Sequence, residues 1–207
     1  MNKYFITGIG TGIGKTVVSA ILAEALNADY WKPVQCGTGN GTDKEVVTNL
    51  LSNQTSKIHL EDRCYREAVS PHMAAALNGE KIIMEAMELP MTDNDLIIEG
   101  AGGLLVPLNE TSFVIDMATF FEAEVVLVIR NYLGCINHSL LSIDYLTKNG
   151  FEIKGLVLIG TFDNAVRASI INYAELPIIA EIPEVTEISK ETILHLSQKV
   201  DLKLFEN

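Results

Sequence analysis

The sequence predicts an α/β fold in which a doubly wound, mainly parallel sheet is flanked by helices. Three observations predict it: short apolar runs recur along the chain, helical patterns separate them, and a glycine-rich segment joins the first run to the first helical pattern. Short runs rich in Val and Ile, bounded by Gly, Pro or Asn, suit strands buried on both faces, and such strands belong to parallel sheets.

The runs are Tyr4 to Thr7, Asp29 to Pro33, Leu96 to Ile98, Val125 to Ile129, Leu156 to Ile159 and Ile178 to Ala180. Between them, Val17 to Leu26 is apolar on most faces, and Asp43 to Leu51 and Pro71 to Met87 are mixed. Ser139 to Leu146 and Thr192 to Val200 carry apolar residues at the three-to-four spacing of a helix face. Strand and helix alternate, which places a ligand site at the C-terminal ends of the strands. Residues 52–70 read as an irregular connection with a short strand near Cys64. With no repeat, linker or low-complexity tract, the 207 residues are expected to form one domain.

Composition excludes several functions. With 15 Lys+Arg against 27 Asp+Glu the net charge is −12, so no broad basic face exists to bind nucleic acid or an anionic bilayer. A small anion is not excluded, because a few backbone N–H groups and one or two lysines can bind a phosphate. Cys36, Cys64 and Cys135 are odd in number and lack CxxC spacing, which argues against a disulfide framework or a thiolate metal site. A secretory leader and a membrane span are both missing from the pattern, so a soluble cytoplasmic protein is expected.

The first apolar run leads directly into Gly8-Ile9-Gly10-Thr11-Gly12-Ile13-Gly14-Lys15-Thr16, and a helical pattern follows from Val17. Four glycines let the backbone curl so that successive N–H groups, from Gly12 through Ile13 and Gly14 to Val17, point at a phosphate. Lys15 reaches the outer phosphates and the Thr16 hydroxyl can hold Mg²⁺. The strict pattern needs four residues between its first glycine and Gly-Lys. Five follow Gly8 and three follow Gly10, so the loop is a longer variant. The fold is therefore expected to be a P-loop nucleotide-binding fold. A dinucleotide site is disfavoured, because the second run ends in Trp31-Lys32-Pro33 where an acidic residue would be needed.

A nucleotide-bound Mg²⁺ needs oxygen ligands beyond Thr16. Glu99 ends an apolar run, and Asp43 sits in the polar stretch Gly39-Asn40-Gly41-Thr42-Asp43; Asp43 would serve equally as a helix cap, and Glu99 as a solvated strand end. Lys32, at the end of a buried run, would be costly to desolvate unpaired, and its expected partner is an anion bound in the site.

These residues, with Gly37, Ser70-Pro71-His72, Glu99-Gly100-Ala101-Gly102-Gly103, Pro107-Leu108 and Leu133-Gly134-Cys135-Ile136-Asn137-His138, resemble the dethiobiotin synthetases, the ATP-dependent carboxylases of biotin synthesis; the likeness spans residues 2 to about 187. The resemblance implies a reaction without a protein nucleophile: an amine of 7,8-diaminopelargonate captures carbon dioxide, the carbamate attacks the γ-phosphate of ATP, and the second amine closes the ring. It implies ATP and Mg²⁺, catalytic roles for Lys15, Lys32 and Thr11, and metal contacts from Thr16, Asp43 and Glu99. It also places Cys36 beside the carbamate and the backbone of Gly100, Ala101, Gly102 and Gly103 beside the diamine. The turn of Leu133, Gly134, Cys135 and Asn137 would receive the substrate carboxylate from the neighbouring subunit of a homodimer. Cys135 read alone suits a small buried residue, and Asn137 a helix cap.

Three positions depart from that family. Gly10 and Gly12 stand where acidic residues are common, Cys36 where a hydroxyl is common, and Val157-Leu158-Ile159-Gly160-Thr161 where Asn-Asp reads adenine. Ile159 could pack on a base without hydrogen-bonding it, which leaves discrimination to backbone groups and, as the resemblance implies, to Glu187, which lies four residues after Pro183 as a base-contacting carboxylate does in some members of that family. The rival readings are a regulatory ATPase of the same fold and a catalytically weakened nucleotide-binding module. Such regulators carry a second lysine early in the loop, and Ile9 to Ile13 contain none.

Overall fold

The computed structural model describes residues 1–206. Its centre is a six-stranded sheet formed by β1 (Lys3–Gly8), β2 (Asp29–Trp31), β5 (Leu96–Glu99), β6 (Glu124–Arg130), β7 (Ile153–Ile159) and β8 (Ile178–Ile182), in the order β2-β5-β1-β6-β7-β8. The pairings are parallel throughout. A separate parallel pair joins β3 (Val34–Cys36) to β4 (Arg63–Tyr65), the latter being the short strand expected near Cys64.

Side chains alternate across the sheet and build two cores. Phe5, Trp31, Ile98, Leu127 and Leu158 face one side, where they meet Ala74 of α3 (Pro71–Leu77), Met117 of α4 (Asp116–Phe120), Ile143 of α5 (Cys135–Lys148) and Ile170 of α6 (Asn164–Ala174). Tyr4, Ile6, Tyr30, Ile97 and Val128 face the other, against α1 (Lys15–Leu26), α2 (Asp43–Leu50) and α7 (Lys190–Ser197). Burial on both faces explains why the strands read as continuous apolar runs.

The run from Asp29 to Pro33 is not one strand. The chain leaves the main sheet after Trp31, because Pro33 has no N–H for the ladder, and the Pro33 carbonyl instead accepts from Asp62 N and Arg63 N at 2.9 Å each. The expected helix from Pro71 to Met87 is also divided. It stops at Leu77, followed by Gly79 at φ +71°, and a single 3₁₀ turn at Met84–Ala86 completes the segment. Helix α5 begins four residues before the expected Ser139, and α7 ends at Ser197 instead of Val200. Two helices carried little signal: α4 has five residues, and α6 buries only Ile170.

Candidate active site

The phosphate loop grows from the sheet's centre. Residues 9–14 connect β1 to α1, and the helix cap is Gly14 at φ +98°, with no side chain closing the first-turn N–H groups. That left-handed conformation costs glycine little, and a Cβ there would come within 2.8 Å of Ile159 Cδ1. Gly8 lets Ile13 pack closely, since a Cβ there would lie 2.1 Å from Ile13 Cδ1 and 3.1 Å from the Val128 carbonyl oxygen. The loop is thus seated on the ends of β1 and β7 with its N–H groups open toward a ligand.

Register brings the acidic partner alongside. Glu99 ends β5 opposite Ile6 of the adjacent β1, and it is 1% exposed, so it is not a solvated strand end. Thr16 Oγ1 lies 2.9 Å from Glu99 Oε1 and 2.7 Å from Asp43 Oδ1. Asp43 is the first residue of α2, and the cap is Thr42, whose side chain accepts from Glu45 N while the Glu45 carboxylate accepts from Thr42 N. The capping role open to Asp43 in the sequence therefore belongs to its neighbour. Its backbone N–H donates to Gln35 Oε1 at 3.1 Å, and its carboxylate is free for Thr16 and Lys32.

Lys32 Nζ binds both carboxylates, at 2.5 Å from Asp43 Oδ2 and 3.0 Å from Glu99 Oε1. Burial works against its charge, but Glu99 and Asp43 outweigh that and raise its pKa above the ordinary 10.5. The lysine's anionic partners are thus supplied by the chain itself. Burial also opposes the charged form of Asp43, yet Lys32 and the hydrogen bonds hold its carboxyl below the usual range. Lys15 differs: its Nζ reaches only the Gly10 carbonyl at 3.1 Å, and burial lowers its pKa to about 8. Burial raises the Cys36 thiol to about 11, which keeps it protonated and unreactive at neutral pH.

These groups line one cleft of about 670 Å³ together with Thr11, Gly12, Ile13, Gly14, Val17, Ala101 and Gly102. Ala68, Val69, Ser70, Pro71 and Val106 complete a mainly apolar wall, of which only Ser70-Pro71 carried a signal in the sequence. Gly103 abuts the loop, a Cβ there lying 3.6 Å from Gly10 Cα, and Gly100 is buried beneath it against Phe5. His72 lies elsewhere, beside a second cavity of about 210 Å³ with Ile82 and Leu108.

The remaining expected contacts do not meet this cleft within one chain. Leu133 is fully exposed, Cys135 is 2% exposed in the core, and Asn137 is exposed in the first turn of α5. The cap there is Gly134 at φ +106°, so Asn137 is not a cap. Glu187 is exposed outside the cleft. Ile159 is 6% exposed and packs beneath Gly14, so its side chain belongs to the core and is not presented to a base. Sequence reasoning missed Tyr30 and Gln35, which hold Glu99 and Asp43; a tyrosine in a buried run reads as core.

The donor set suits a small hard cation. Three oxygens from Thr16, Asp43 and Glu99 converge, yet the hydroxyl has one proton and cannot donate to both carboxylates at once. Oxygen-only donors with two carboxylates are what Mg²⁺ selects.

Comparison with known proteins agrees with this geometry. A family model described as an AAA domain matches residues 2–192. Two solved structures share the fold: the septum site-determining protein MinD with Mg-ADP from Pyrococcus horikoshii, at TM-score 0.57 and 16% identity over 97% of this chain and 96% of that one, and a ParA family ATPase from Chlorobium tepidum, at 0.54 and 12% over 98% and 92%. At these identities the likeness speaks for fold alone. The ATP-dependent dethiobiotin synthetase of Cytophaga hutchinsonii is 45% identical over 100% of this chain and 98% of its own length. That of Christiangramia forsetii is 41% identical over 99% and 98%, and that of Lawsonia intracellularis 38% over 97% and 97%. A phosphate loop, two cleft lysines and paired carboxylates, in a chain matched end to end by these enzymes, have one reading: it belongs to the dethiobiotin synthetase family.

Proposed function

We propose that this protein uses ATP and Mg²⁺ to insert carbon dioxide between the two amines of 7,8-diaminopelargonate, closing the ureido ring of dethiobiotin. The observation that carries the reading is the meeting of Lys15, Lys32, Thr16, Asp43 and Glu99 in one cleft. Thr16, Asp43 and Glu99 would hold Mg²⁺, which neutralises phosphate charge when bound. The first-turn N–H groups of α1 and Lys15 bind the phosphates, and Thr11 faces the reacting amines from the loop's crest.

The reaction needs positioning and charge neutralisation more than proton transfer. A carbamate oxygen bonds to the γ-phosphorus as the bond to ADP breaks. The second amine then attacks the carbamate carbon, phosphate departs, and the amine proton passes to solvent. Lys32, with its pKa held high, keeps its proton throughout and acts as fixed positive charge beside the transferred phosphoryl group. Cys36 borders the carbamate as a weak hydrogen-bond donor.

Two further features complete the proposal. The protein works as a homodimer, with the Leu133 to Asn137 turn serving the partner's cleft; its full exposure at Leu133 supports this. It works in the cytoplasm, a reading supported by three free cysteines. Among the described residues no helix is long and apolar enough to cross a membrane.

Phosphate release from ATP and bicarbonate, with and without the diamine, tests the function. Release that depends on the diamine is expected. Diamine-independent turnover would indicate a regulatory ATPase, and no release a weakened binding module.

A further inference from the structure

Glu99 has two oxygens in different company. Oε1 faces the cleft, 2.9 Å from Thr16 Oγ1 and 3.0 Å from Lys32 Nζ. Oε2 faces the interior, where the Tyr30 hydroxyl donates to it at 2.9 Å. Tyr30 is fully buried, and its backbone is fixed on both edges. On one side it pairs with Ile97 of β5, two residues before Glu99. On the other, its N–H donates to the Lys57 carbonyl and its carbonyl accepts from His59 N, each at 2.9 Å. Ring and carboxylate are thus carried by adjacent strands in fixed register, and both are buried.

We propose that Tyr30 is a positioning residue for Glu99, occupying Oε2 so that the carboxylate offers a single oxygen to the metal site. The proposal rests on the reading of Glu99 as a metal ligand. It carries a consequence for ion choice. Mg²⁺ and Mn²⁺ accept one oxygen per carboxylate in octahedral geometry, whereas the larger Ca²⁺ favours bidentate carboxylates and higher coordination. A carboxylate held to one oxygen favours the smaller ions.

The test uses Mn²⁺ and Ca²⁺ as probes on the full-length protein with ADP, reading free Mn²⁺ by electron paramagnetic resonance and Ca²⁺ by competition. Tyr30→Phe keeps the ring and its packing and removes only the donor. It is expected to weaken Mn²⁺ about tenfold, in the range found when the partners of metal ligands are removed, and Ca²⁺ by less, so that the preference for Mn²⁺ narrows. Adding Tyr30→Phe to Glu99→Gln should produce no further weakening, because the two act through one contact. Weakening of Mn²⁺ and Ca²⁺ by the same factor, or an equal loss of metal-free ADP affinity, would mean that Tyr30 only maintains the fold and would overturn the proposal. Unchanged Mn²⁺ affinity in Tyr30→Phe alone would overturn it while leaving Glu99 a ligand. Unchanged affinity in Glu99→Gln would overturn the ligand reading and the proposal together.

Discussion

Lys32 Nζ sits 3.0 Å from Glu99 Oε1, a lysine and a glutamate 7% and 1% exposed at the side chain, facing each other across the ends of β2 and β5. Asp43, 28% exposed, joins them from α2. Removing the lysine leaves two carboxylates close together without their cation. Lys32→Met is therefore expected to lower stability by about 3 kcal/mol in urea denaturation. Added Mg²⁺ should recover part of that loss, because the divalent ion supplies the missing charge. An identical loss with and without Mg²⁺ would show that the two carboxylates form no cation site.

Lys15 gives a pH signature. Its pKa of about 8 in the ligand-free protein means that near pH 8 about half the molecules carry it uncharged. A bound phosphate favours the charged form, so ADP binding at pH 8 should take up roughly half a proton, falling toward zero below pH 7. Calorimetry in buffers of different ionisation enthalpy measures this directly, and Lys15→Met should abolish it. The sign of the stability effect also follows. The folded-state pKa is depressed, so between about pH 8 and 10.5 the unfolded chain binds more protons and stability rises with pH. Uptake that persists in Lys15→Met would assign the proton elsewhere.

Nucleotide selectivity should be modest. The Ile159 side chain lies under the phosphate loop, its carbonyl accepts from Asn131 N at 2.9 Å, and Gly160 N donates to the Ile182 carbonyl at 2.8 Å. A site without a buried hydrogen-bonding reader discriminates by little, so CTP and GTP are expected within about a hundredfold of ATP in apparent affinity. A preference for ATP of a thousandfold or more would require another group to read adenine.

If the proposed dimer shares its sites, two defective variants should complement each other. Lys15→Ala keeps the α5 turn and loses the phosphate loop, whereas Asn137→Ala keeps the loop and damages the turn. Because Gly134 and not Asn137 caps α5, Asn137→Ala should not cost helix stability, and its lost activity reports substrate contact. Random co-refolding makes half the dimers mixed with one good site each, so activity should approach a quarter of the parent's. No gain over the average of the two variants, with mixed dimers confirmed by mass, would exclude sharing.

The sequence disclosed the centre of the site better than its supports. That Thr11 to Thr16, Lys32, Asp43 and Glu99 share one cleft was legible because phosphate and cation chemistry would place those residue types at strand ends and helix starts. Tyr30 and Gln35 were not, since a tyrosine or glutamine beside apolar neighbours carries no positional signature until register shows what it touches. The six principal strands were visible through burial on both faces. The division after Trp31 was hidden because Val34 continues the apolar run in a different sheet, and Pro33 alone marked the boundary.

That division leaves a seam through the cleft. Glu99 ends β5 and Thr16 lies in the first turn of the helix after β1, both inner strands of the large sheet, while Asp43 opens α2 between the two strands, β3 and β4, of the small separate pair. Glu99 and Asp43 are thus anchored to different sheets, and segments outside the central strands of a fold open locally at lower free energy than those strands. Each local opening of residues 34–65 would carry Asp43 away from Thr16 with the phosphate loop still formed. Amide hydrogen exchange in residues 34–65 is then expected to report how often Asp43 leaves Thr16, separately from the global stability of the protein.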